Sequence, residues 1–556
     1  MRSRVPLGEF LCAYLHGLGV RDIFGIPGDL VLKLFARLDA SRHWRMHTFS
    51  HEPAVGYAAD GYARASHRLG VTCVTYGAGG NNMVNAVAGA YAEHVPVLVL
   101  SGGPGRAETS DGTLIHHQAR AIDSQHRIYR EVTAARALIT ESHGAADAID
   151  RVVRTLWEEQ RPGYIEIHRD MIDALIEVPP RLRRKAPLRW RRSDPARVEE
   201  AARDAAARLA KARRPIVLAG IETYRWGAEA EVLALVEKLG APVLTTLLSK
   251  GAIPPDHPLH LGVYFGNEGP PAIRKRFREA DLVLDLGTLP TDIGLFPKPL
   301  PPERRIRALD HRVDIGFHTY DQVELRDFAV ALGTQKLRRH RETVVRHDNL
   351  PRKPAWLQRD RPTQRDRSRP LSVAEAIHVV NQFLSHHPEV AIVADSGDML
   401  FAAADVVAHG SGAHFAQGFY ASMGFAVPAA MGIEIASGRR PLVLLGDGAF
   451  QMTGPEIAHA PRNGTHPIVL VINNGGWNIF RPVVDNRKLL DIPPWPYAEL
   501  GRLWGGYGRK VESGPALQEA LGEAAARREF AIIEACVDPD DHSPLAKKYI
   551  RASSRR

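Results

Sequence analysis

The chain has 556 residues, of which 44% are hydrophobic and 24% are charged, a balance typical of a globular protein with about three domains. The net charge of +9 is concentrated in Arg-rich segments typical of solvated linkers. The sequence contains no basic stripe interleaved with aromatic residues, so nucleic acid is not expected as a partner. The three cysteines form no CxxC pair, which argues against a disulfide framework or a cysteine zinc site. No apolar run reaches the ~18 residues of a membrane helix, which argues against a membrane span. Together these observations predict a cytoplasmic protein.

Short apolar runs rich in β-branched residues recur along the chain, separated by alanine-rich stretches with a helical pattern. These runs, which often end at Gly, Ser or Asn, are residues 71–75, 96–100, 215–218, 282–286, 390–393, 442–445 and 468–472. Buried strands that alternate with helices are typical of parallel sheets covered on both faces. The pattern therefore predicts an α/β protein with doubly wound parallel sheets.

Two segments rich in Pro and Arg divide the chain into thirds. The first lies around residues 178–195 and the second covers residues 345–370. This composition is typical of linkers. It predicts three domains, 1–177, 196–344 and 371–556, which share the α/β pattern without a strong internal sequence repeat.

Two glycine-containing motifs each follow a predicted strand in the last third: Gly-Asp-Gly at 446–448 and Asn-Asn-Gly-Gly at 473–476. Each motif alone is typical of a turn, but ligands bind where the carboxyl ends of parallel strands meet. The Asp447 carboxylate, the Asn474 side-chain carbonyl and a glycine backbone carbonyl are oxygen ligands that suit Mg²⁺ together with phosphate. The glycines also let a diphosphate approach the backbone closely.

Together the two motifs resemble the fingerprint of thiamine-diphosphate-dependent enzymes, and the resemblance extends over most of the chain. Further matching motifs occupy residues 23–29, 50–54, 58–64, 75–79, 251–258, 395–398 and 423–429. The chain resembles the indolepyruvate/phenylpyruvate branch of the pyruvate decarboxylase family of 2-oxoacid decarboxylases. The resemblance implies a pyrimidine-binding domain (1–177), a non-catalytic middle domain (196–344) and a diphosphate-binding domain (371–556), with thiamine diphosphate and Mg²⁺ as cofactors.

Glu52 lies in a His-Glu-Pro-Ala motif at 51–54, which matches the motif of the family's catalytic glutamate. A glutamate before proline is more often a residue that starts a helix. Thiamine chemistry, however, needs a C2 carbanion, and the cofactor's aminopyrimidine can act as the base when a carboxylate lies against its N1′. The resemblance therefore implies that Glu52 binds the cofactor and acts in catalysis.

The resemblance implies further contacts with the cofactor and its metal. Asp447, Asn474 and the Gly476 carbonyl are expected to hold the metal. Met423, which alone would be interpreted as core filler, is expected to wedge the cofactor into its bent shape, and the Ala421 carbonyl is expected to accept from its 4′-amino nitrogen. The other expected cofactor-binding residues are Thr75, Ser396, Asp398, Gly448, Ala449, Trp477, Asn478 and Ile479.

Adjacent histidines, His116 and His117, lie where pyruvate and indolepyruvate decarboxylases carry a histidine pair, which acetolactate synthases and benzoylformate decarboxylases do not share there. A surface His-His pair without this context more often has no catalytic role. With Asp29, the resemblance places two imidazoles and a carboxylate over the cofactor. Such groups can bind the substrate carboxylate and move protons near neutral pH, so all three residues are expected to be catalytic.

Two positions depart from the pyruvate decarboxylase pattern. Phe480 stands where those enzymes carry a glutamate that assists protonation of intermediates, and Leu400 stands where they tend to carry a bulky aromatic side chain. Phenylpyruvate decarboxylases of the branch are also apolar at the first position. Both residues are therefore expected to line a substrate pocket for an aryl or other large apolar 2-oxoacid, and we expect decarboxylation of phenylpyruvate or indole-3-pyruvate to the aldehyde.

Two other functions stay open at this point. Slower protonation beside Phe480 would lengthen the life of the enamine, so acyloin-forming carboligation is one alternative. A cofactor-binding pseudoenzyme is the other, although Glu52 together with Asp29 and the two histidines argues against it. In the family, Glu52 reaches a cofactor whose diphosphate is held by a neighbouring chain, which implies a homodimer or a dimer of dimers, that is, a homotetramer. Neither nucleic acid nor a membrane is expected as a partner.

Overall fold

The computed structural model describes residues 3–110, 112–183, 188–293, 300–359, 361–484 and 486–553. Three large sheets, each accompanied by helices, follow one another along the chain. All seven predicted strands are present, with small shifts at their ends, and the prediction of α/β domains built on parallel sheets is confirmed. The two predicted linkers are described only in part, because residues 184–187 and 360 lie outside the described residues.

The N-terminal third forms a six-stranded parallel sheet. The strands of the sheet are β2 (Asp22–Gly25), β3 (Arg45–Thr48), β4 (Gly70–Val74), β5 (Val97–Gly103), β6 (Ala135–Ile139) and β7 (Gly163–His168), and two further strands, β1 (Ser3–Pro6) and β8 (Leu175–Val178), lie outside it. Its helices are α1 (Leu7–Gly17), α2 (Leu32–Asp39), α3 (Glu52–Ser66), α4 (Ala78–Asn82), α5 (Val84–Ala92), α6 (Arg106–Ser110), α7 (Ser124–Ile128) and α8 (Ala145–Glu159). The sheet order is β3-β2-β4-β5-β7-β6, while β1 and β8 pair with each other in antiparallel register.

The middle third forms a seven-stranded sheet. Its strands are β9 (Pro215–Ala219), β10 (Val243–Thr245), β11 (His260–Val263), β12 (Leu282–Leu286), β13 (Arg305–Leu309), β14 (Arg312–Ile315) and β15 (His318–Asp321). Its helices are α9 (Pro195–Lys211), α10 (Ile221–Arg225), α11 (Glu229–Leu239), α12 (Pro271–Glu279) and α13 (Leu325–Thr334). In the order β11-β10-β9-β12-β13-β14-β15, the strands are parallel as far as β13, and the short turns after β13 and β14 add two antiparallel strands at one edge.

The C-terminal third again forms a six-stranded parallel sheet. Its strands are β16 (Ala391–Ala394), β17 (His414–Ala416), β18 (Pro441–Gly446), β19 (Ile468–Asn473), β20 (Tyr507–Val511) and β21 (Ala531–Cys536). Its helices are α14 (Gln364–Ser368), α15 (Val373–His386), α16 (Asp398–Ala402), α17 (Ala426–Ser437), α18 (Asp447–Thr453), α19 (Ala460–Asn463), α20 (Tyr497–Leu503), α21 (Gly514–Ala525) and α22 (Pro544–Ser553). The order is β17-β16-β18-β19-β21-β20.

The first and last sheets have the same topology. In each, the first strand of the sheet lies between the second and the third, so the direction of winding reverses between β2 and β4 and between β16 and β18. A crevice forms at the carboxyl ends of strands at such a reversal, and ligands bind there in open α/β sheets. The repeat therefore places two candidate binding edges in the chain, one in each sheet.

The chain divides into two compact units. The first contains residues 1–190 and two segments of the last third, 427–438 and 453–465, while the second contains the rest of the chain. Within the first unit, α3 and α17 pack very closely because each has a glycine at the contact. A Cβ on Gly61 would lie 2.3 Å from the Ala429 carbonyl oxygen, and one on Gly432 would lie 1.9 Å from that of Ala58.

Each sheet is covered by apolar side chains from its strands and helices, which form continuous buried clusters. The first unit also buries charges: Arg64 donates to the carboxylates of Asp60 and Glu93, and all three side chains are at most 1% exposed. Burial of these charges is tolerated because they are paired. Among the helices that the structure describes, none is both long and apolar enough to span a membrane.

Candidate active site

The strongest sequence motifs meet at the carboxyl ends of β18 and β19. The Asp447 carboxylate is buried and accepts hydrogen bonds from the backbone N–H of Gly448 (2.9 Å) and Gly475 (2.7 Å). Burial raises the pKa of Asp447 to about 6. The side-chain oxygen of Asn474 is buried, and no described residue donates a hydrogen bond to it. A buried carboxylate beside an unsatisfied carbonyl oxygen fits a hard cation such as Mg²⁺.

A cavity of about 320 Å³ opens at this edge of the sheet. It is lined by every residue of the last third for which a site role is predicted. These residues are Ser396, Asp398, Leu400, Ala421, Met423, Asp447, Gly448, Ala449, Asn474, Gly476, Trp477, Asn478, Ile479 and Phe480. Residues scattered over more than eighty positions of sequence are thus brought together, although the function of each within the cavity stays a prediction.

The loop before α17 has a strained backbone at the cavity. Ala421 has a φ of 55°, a left-handed conformation that costs free energy for a residue with a Cβ and that often occurs at functional sites. The neighbouring Ser422 N–H donates to the Gln417 side chain at 2.8 Å. The strained loop holds Ala421 at the cavity, and the role of its carbonyl stays a prediction.

Asp395 holds the same loop, and sequence reasoning assigned it no role. Its carboxylate is fully buried and accepts from the backbone N–H of Ser396 (2.8 Å), Gly424 (3.0 Å) and Ala426 (2.7 Å). Burial raises its pKa to about 6. Asp395 therefore joins the end of β16 to the loop that carries Ala421 and Met423.

The C-terminal helix also contributes to the cavity, which the motifs did not indicate. The Asp398 carboxylate accepts from the backbone N–H of Ser543 (2.9 Å) and from its hydroxyl (2.5 Å), directly before α22 begins. The Asp398 carboxylate is therefore occupied in fixing this helix. On the helix, Tyr549 lines the cavity and stacks on Phe401, with ring centroids 4.7 Å apart.

Leu400 and Phe480 line the cavity as predicted, in contrasting environments. Leu400 is buried, whereas Phe480 is 53% exposed, so Phe480 does not pack in the core beneath its loop. Trp477 packs over the Gly448 backbone, where a Cβ would lie 2.3 Å from the indole ring. Glycine is thus required at position 448 by packing within the protein.

In the first unit, Glu52 is the first residue of α3. The Asn82 side-chain amide donates to Glu52 Oε2 at 2.7 Å. A second carboxylate, Glu456, accepts from the Ser50 N–H at 2.9 Å, and burial, with a contribution from the charge of Glu52, raises the pKa of Glu456. Sequence reasoning missed Glu456, because it lies about 400 positions away in the chain and no motif marks it.

Asp29, His116 and His117 lie together in the first unit, as predicted. His116 Nε2 is hydrogen-bonded to one oxygen of Asp29, and His117 Nε2 lies 3.9 Å from the other. Thr75 follows β4 at the same sheet, and no described residue is hydrogen-bonded to its buried hydroxyl. These groups have polar atoms available for a ligand at the reversal between β2 and β4.

Comparisons with known proteins identify the family of the chain. Residues 6–127 match the N-terminal TPP binding domain of thiamine pyrophosphate enzymes, residues 202–325 match the central domain, and residues 395–535 match the C-terminal TPP binding domain. The chain is 36% identical over 561 residues to an indole-3-pyruvate decarboxylase from Azospirillum brasilense, with 99% of both chains covered. The chain belongs to the thiamine-diphosphate-dependent 2-oxoacid decarboxylase family.

Two more distant relatives extend this similarity. An alpha-keto-acid decarboxylase from Mycolicibacterium paratuberculosis is 30% identical over 558 residues, with 99% of this chain and 96% of the relative covered. Pyruvate decarboxylase 1 from Pisum sativum is 28% identical over 552 residues, with 97% and 91% covered. This 2-oxoacid decarboxylase is therefore a carboxy-lyase with thiamine diphosphate as its cofactor, and Mg²⁺ is the usual metal of the family.

The donor set of this decarboxylase fits the cofactor. When bound, thiamine diphosphate supplies the carbanion and the electron sink that decarboxylation requires. The unsatisfied Asn474 oxygen and the Asp447 carboxylate suit the metal of its diphosphate. The chain's own contribution is to orient these groups: Asp395 fixes the loop that carries Ala421, and the Gly448–Trp477 contact fixes the loops after β18 and β19 against each other.

Proposed function

We propose that the protein decarboxylates a 2-oxoacid with an aryl or other large apolar side chain, of the phenylpyruvate or indole-3-pyruvate type, to the aldehyde. The apolar lining of the cavity carries this proposal, since Leu400, Phe401, Phe480 and Tyr549 all face it. An aryl group gains free energy from burial against such side chains. The name of the relative from Azospirillum brasilense supports the same substrate class.

We assign the residues as follows. Asp447, Asn474 and the Gly476 carbonyl hold Mg²⁺, and Glu52 holds the proton at the N1′ atom of the cofactor pyrimidine. Asn82, which donates to Glu52 at 2.7 Å, orients this carboxylate.

Asp29, His116 and His117 bind the substrate carboxylate and return the proton to the product. Because the Phe480 side chain has no acidic proton to donate, this proton transfer falls to these three side chains or to water.

The substrate proposal is tested by comparing kcat/KM for phenylpyruvate, indole-3-pyruvate and pyruvate in the wild-type protein and in Phe480→Glu. The new carboxylate would be poorly solvated beside an aryl ring and would repel the acid, so kcat/KM for phenylpyruvate should fall by roughly 10–100-fold, equivalent to ~1.4–2.7 kcal/mol. Pyruvate should be affected less. Leu489→Glu is the matched control, because Leu489 is 71% exposed and does not line the cavity.

Melting temperatures of all three proteins separate a pocket effect from a folding effect. An unchanged ratio between phenylpyruvate and pyruvate, combined with a large loss of stability in Phe480→Glu alone, would reject the proposed substrate class. Preference of the wild-type protein for pyruvate would reject it directly.

Carboligation is the second candidate, and the absence of a carboxylate at Phe480 favours it. Without a proton donor at this position, release of the aldehyde would be slower, and the bound cofactor would supply the same nucleophilic carbon to a second carbonyl compound. Mass spectrometry of the products formed from phenylpyruvate, with and without added benzaldehyde, distinguishes the two: decarboxylation gives phenylacetaldehyde in both cases, whereas carboligation gives an acyloin as the main product when the acceptor is present.

For assembly, we infer a homodimer or a dimer of such dimers in which Glu52 of one chain serves the cofactor held by Asp447 of the other. Mixing the inactive variants Glu52→Gln and Asp447→Ala under conditions of subunit exchange should restore part of the activity. A fully active monomer in analytical ultracentrifugation would contradict this assembly. The cytoplasm is the compartment we propose, since Cys12, Cys73 and Cys536 are all unbridged thiols.

A further inference from the structure

Asp29, His116 and His117 form a compact cluster of nitrogen and oxygen donors. One ligand atom of each side chain lies within 4.8 Å of the other two. His116 Nε2 is hydrogen-bonded to Asp29 Oδ2, His117 Nε2 lies 3.9 Å from Asp29 Oδ1, and the two imidazole rings meet edge to face with centroids 4.7 Å apart. The side chains are 37–58% exposed, so an ion can reach them from solvent.

The backbone around this cluster is fixed by several contacts. His117 has a left-handed φ of 68°, and its carbonyl oxygen packs so tightly on Gly77 that a Cβ there would lie 2.1 Å away. The turn is closed by hydrogen bonds between Ile115 and Gln118. The donors are therefore held near one another before any ligand binds, which lowers the entropic cost of binding.

The donor set differs from that of the magnesium site. Mg²⁺ prefers an all-oxygen environment, whereas two imidazoles and one carboxylate suit Zn²⁺ and related transition metals. Zinc binds histidine nitrogen and carboxylate oxygen at ~2.0–2.2 Å, so tetrahedral ligand atoms lie roughly 3.3 Å apart. The 3.9 Å between His117 and Asp29 reaches this separation with small side-chain rotations.

We propose that Asp29, His116 and His117 bind Zn²⁺ and that zinc at this position inhibits the enzyme reversibly. Three protein ligands leave the fourth position for water or for the carboxylate of a 2-oxoacid. Zinc occupies the nitrogen and oxygen lone pairs that would otherwise exchange protons with substrate, which is the reason for inhibition. The inhibition, unlike the binding, rests on the catalytic role that the proposed function gives these residues.

Binding is measured on the full-length protein after chelation and desalting, with excess MgCl₂ to fill oxygen sites. Zn²⁺ is titrated against a chromogenic chelator, and Co²⁺ is the spectroscopic probe, since tetrahedral coordination gives it a visible absorption band much more intense than that of octahedral hydrated Co²⁺. We expect one Zn²⁺ per chain in the wild type. Loss of a ligand in His116→Gln or His117→Gln should weaken binding by at least roughly 10–100-fold, the range that even outer-sphere partners cost.

Two controls locate the site. His409→Gln removes a histidine that lies 3.0 Å from Asp256 but belongs to no three-residue donor cluster among the described residues. Asp447→Asn removes the proposed magnesium ligand. Both variants should keep the zinc affinity and the cobalt band of the wild type. Zinc binding that survives both His116→Gln and His117→Gln but is lost in Asp447→Asn would overturn the proposal. Melting temperatures of the histidine variants check that they remain folded.

The inhibitory effect is measured with the holoenzyme. Micromolar Zn²⁺ should lower turnover of the wild type and of His409→Gln equally, and addition of a chelator should restore it. Full turnover with zinc bound would overturn the inhibition while leaving the site intact. If the chain turned over none of the 2-oxoacids, the proposed function would fail, but the binding and cobalt measurements would still decide whether the site exists.

Discussion

Asp395→Asn tests whether the buried carboxylate that holds the Ala421 loop is a source of pH-dependent stability. The wild-type carboxylate accepts three backbone N–H groups while fully buried, and burial raises its pKa from 3.8 to about 6. A raised acid pKa means that the ionised group costs stability above pH 6, and this cost disappears as the pH falls from 6 towards 4. The full cost is about 3 kcal/mol, at ~1.4 kcal/mol per pH unit.

The asparagine variant removes this charge but also removes one acceptor. Its NH₂ group would face the Ala426 N–H, which donates to Asp395 Oδ2 at 2.7 Å, and an unsatisfied buried donor costs ~1–3 kcal/mol. At pH 7 the two effects nearly offset each other. At pH 5 part of the wild-type cost has already disappeared, so the variant should become less stable relative to the wild type by about 1 kcal/mol between pH 7 and pH 5.

The assay is the free energy of urea unfolding of both proteins at pH 5, 6 and 7, without cofactor. Asp366→Asn is the control: the hydrogen bond from the Thr363 hydroxyl lowers the pKa of Asp366, so this group is ionised throughout the window and its difference from wild type should stay constant. A difference between wild type and Asp395→Asn that also stays constant from pH 7 to pH 5 would refute the reasoning.

Three further predictions follow from the sites and the buried charges. Glu52→Gln should lower turnover by ~10²–10⁴ with an unchanged melting temperature; near-normal turnover would place the catalytic glutamate elsewhere. Chelation followed by desalting should abolish turnover, and Mg²⁺ with thiamine diphosphate should restore it, whereas full activity without both would contradict the cofactor assignment. Arg64→Met leaves Asp60 and Glu93 buried without their cation and should reduce the unfolding free energy by ~3–5 kcal/mol, while the exposed Arg68→Met should change it by less than ~0.5 kcal/mol.

Local patterns were sufficient to predict the strands of the last third and the ligand site where two of them end, whereas the other cavity residues were implied by the family resemblance. The runs at 442–445 and 468–472 are apolar because both faces of β18 and β19 are covered, and the polar motifs begin where burial ends. Because parallel strands end at one edge, Asp447 and Asn474 had to lie close together. These are properties of short segments, which explains why the sequence alone revealed them.

Features that depend on distant partners could not be predicted. Asp398 meets Ser543 from 145 positions away, and Tyr549 reaches the cavity from a helix with no motif. Glu456 approaches Glu52 because residues 453–465 pack with the N-terminal unit. The shared strand order of the first and last sheets could not be predicted either. Different side chains can fill the same arrangement of strands, so the two thirds have no strong sequence repeat.

The composition of the first unit has a consequence for synthesis on the ribosome. Residues 427–438 and 453–465 belong to this unit, and α17 fills the groove at Gly61 on α3. The N-terminal sheet and its own helices therefore emerge early, but α3 lacks its packing partner α17 until translation has passed Ser437. During that interval its small-residue helix surface is open to solvent, a state prone to aggregation. Nascent chains of this enzyme are thus expected to need chaperone protection over most of their synthesis. This holds even though all strands of the N-terminal sheet come from the first third of the chain.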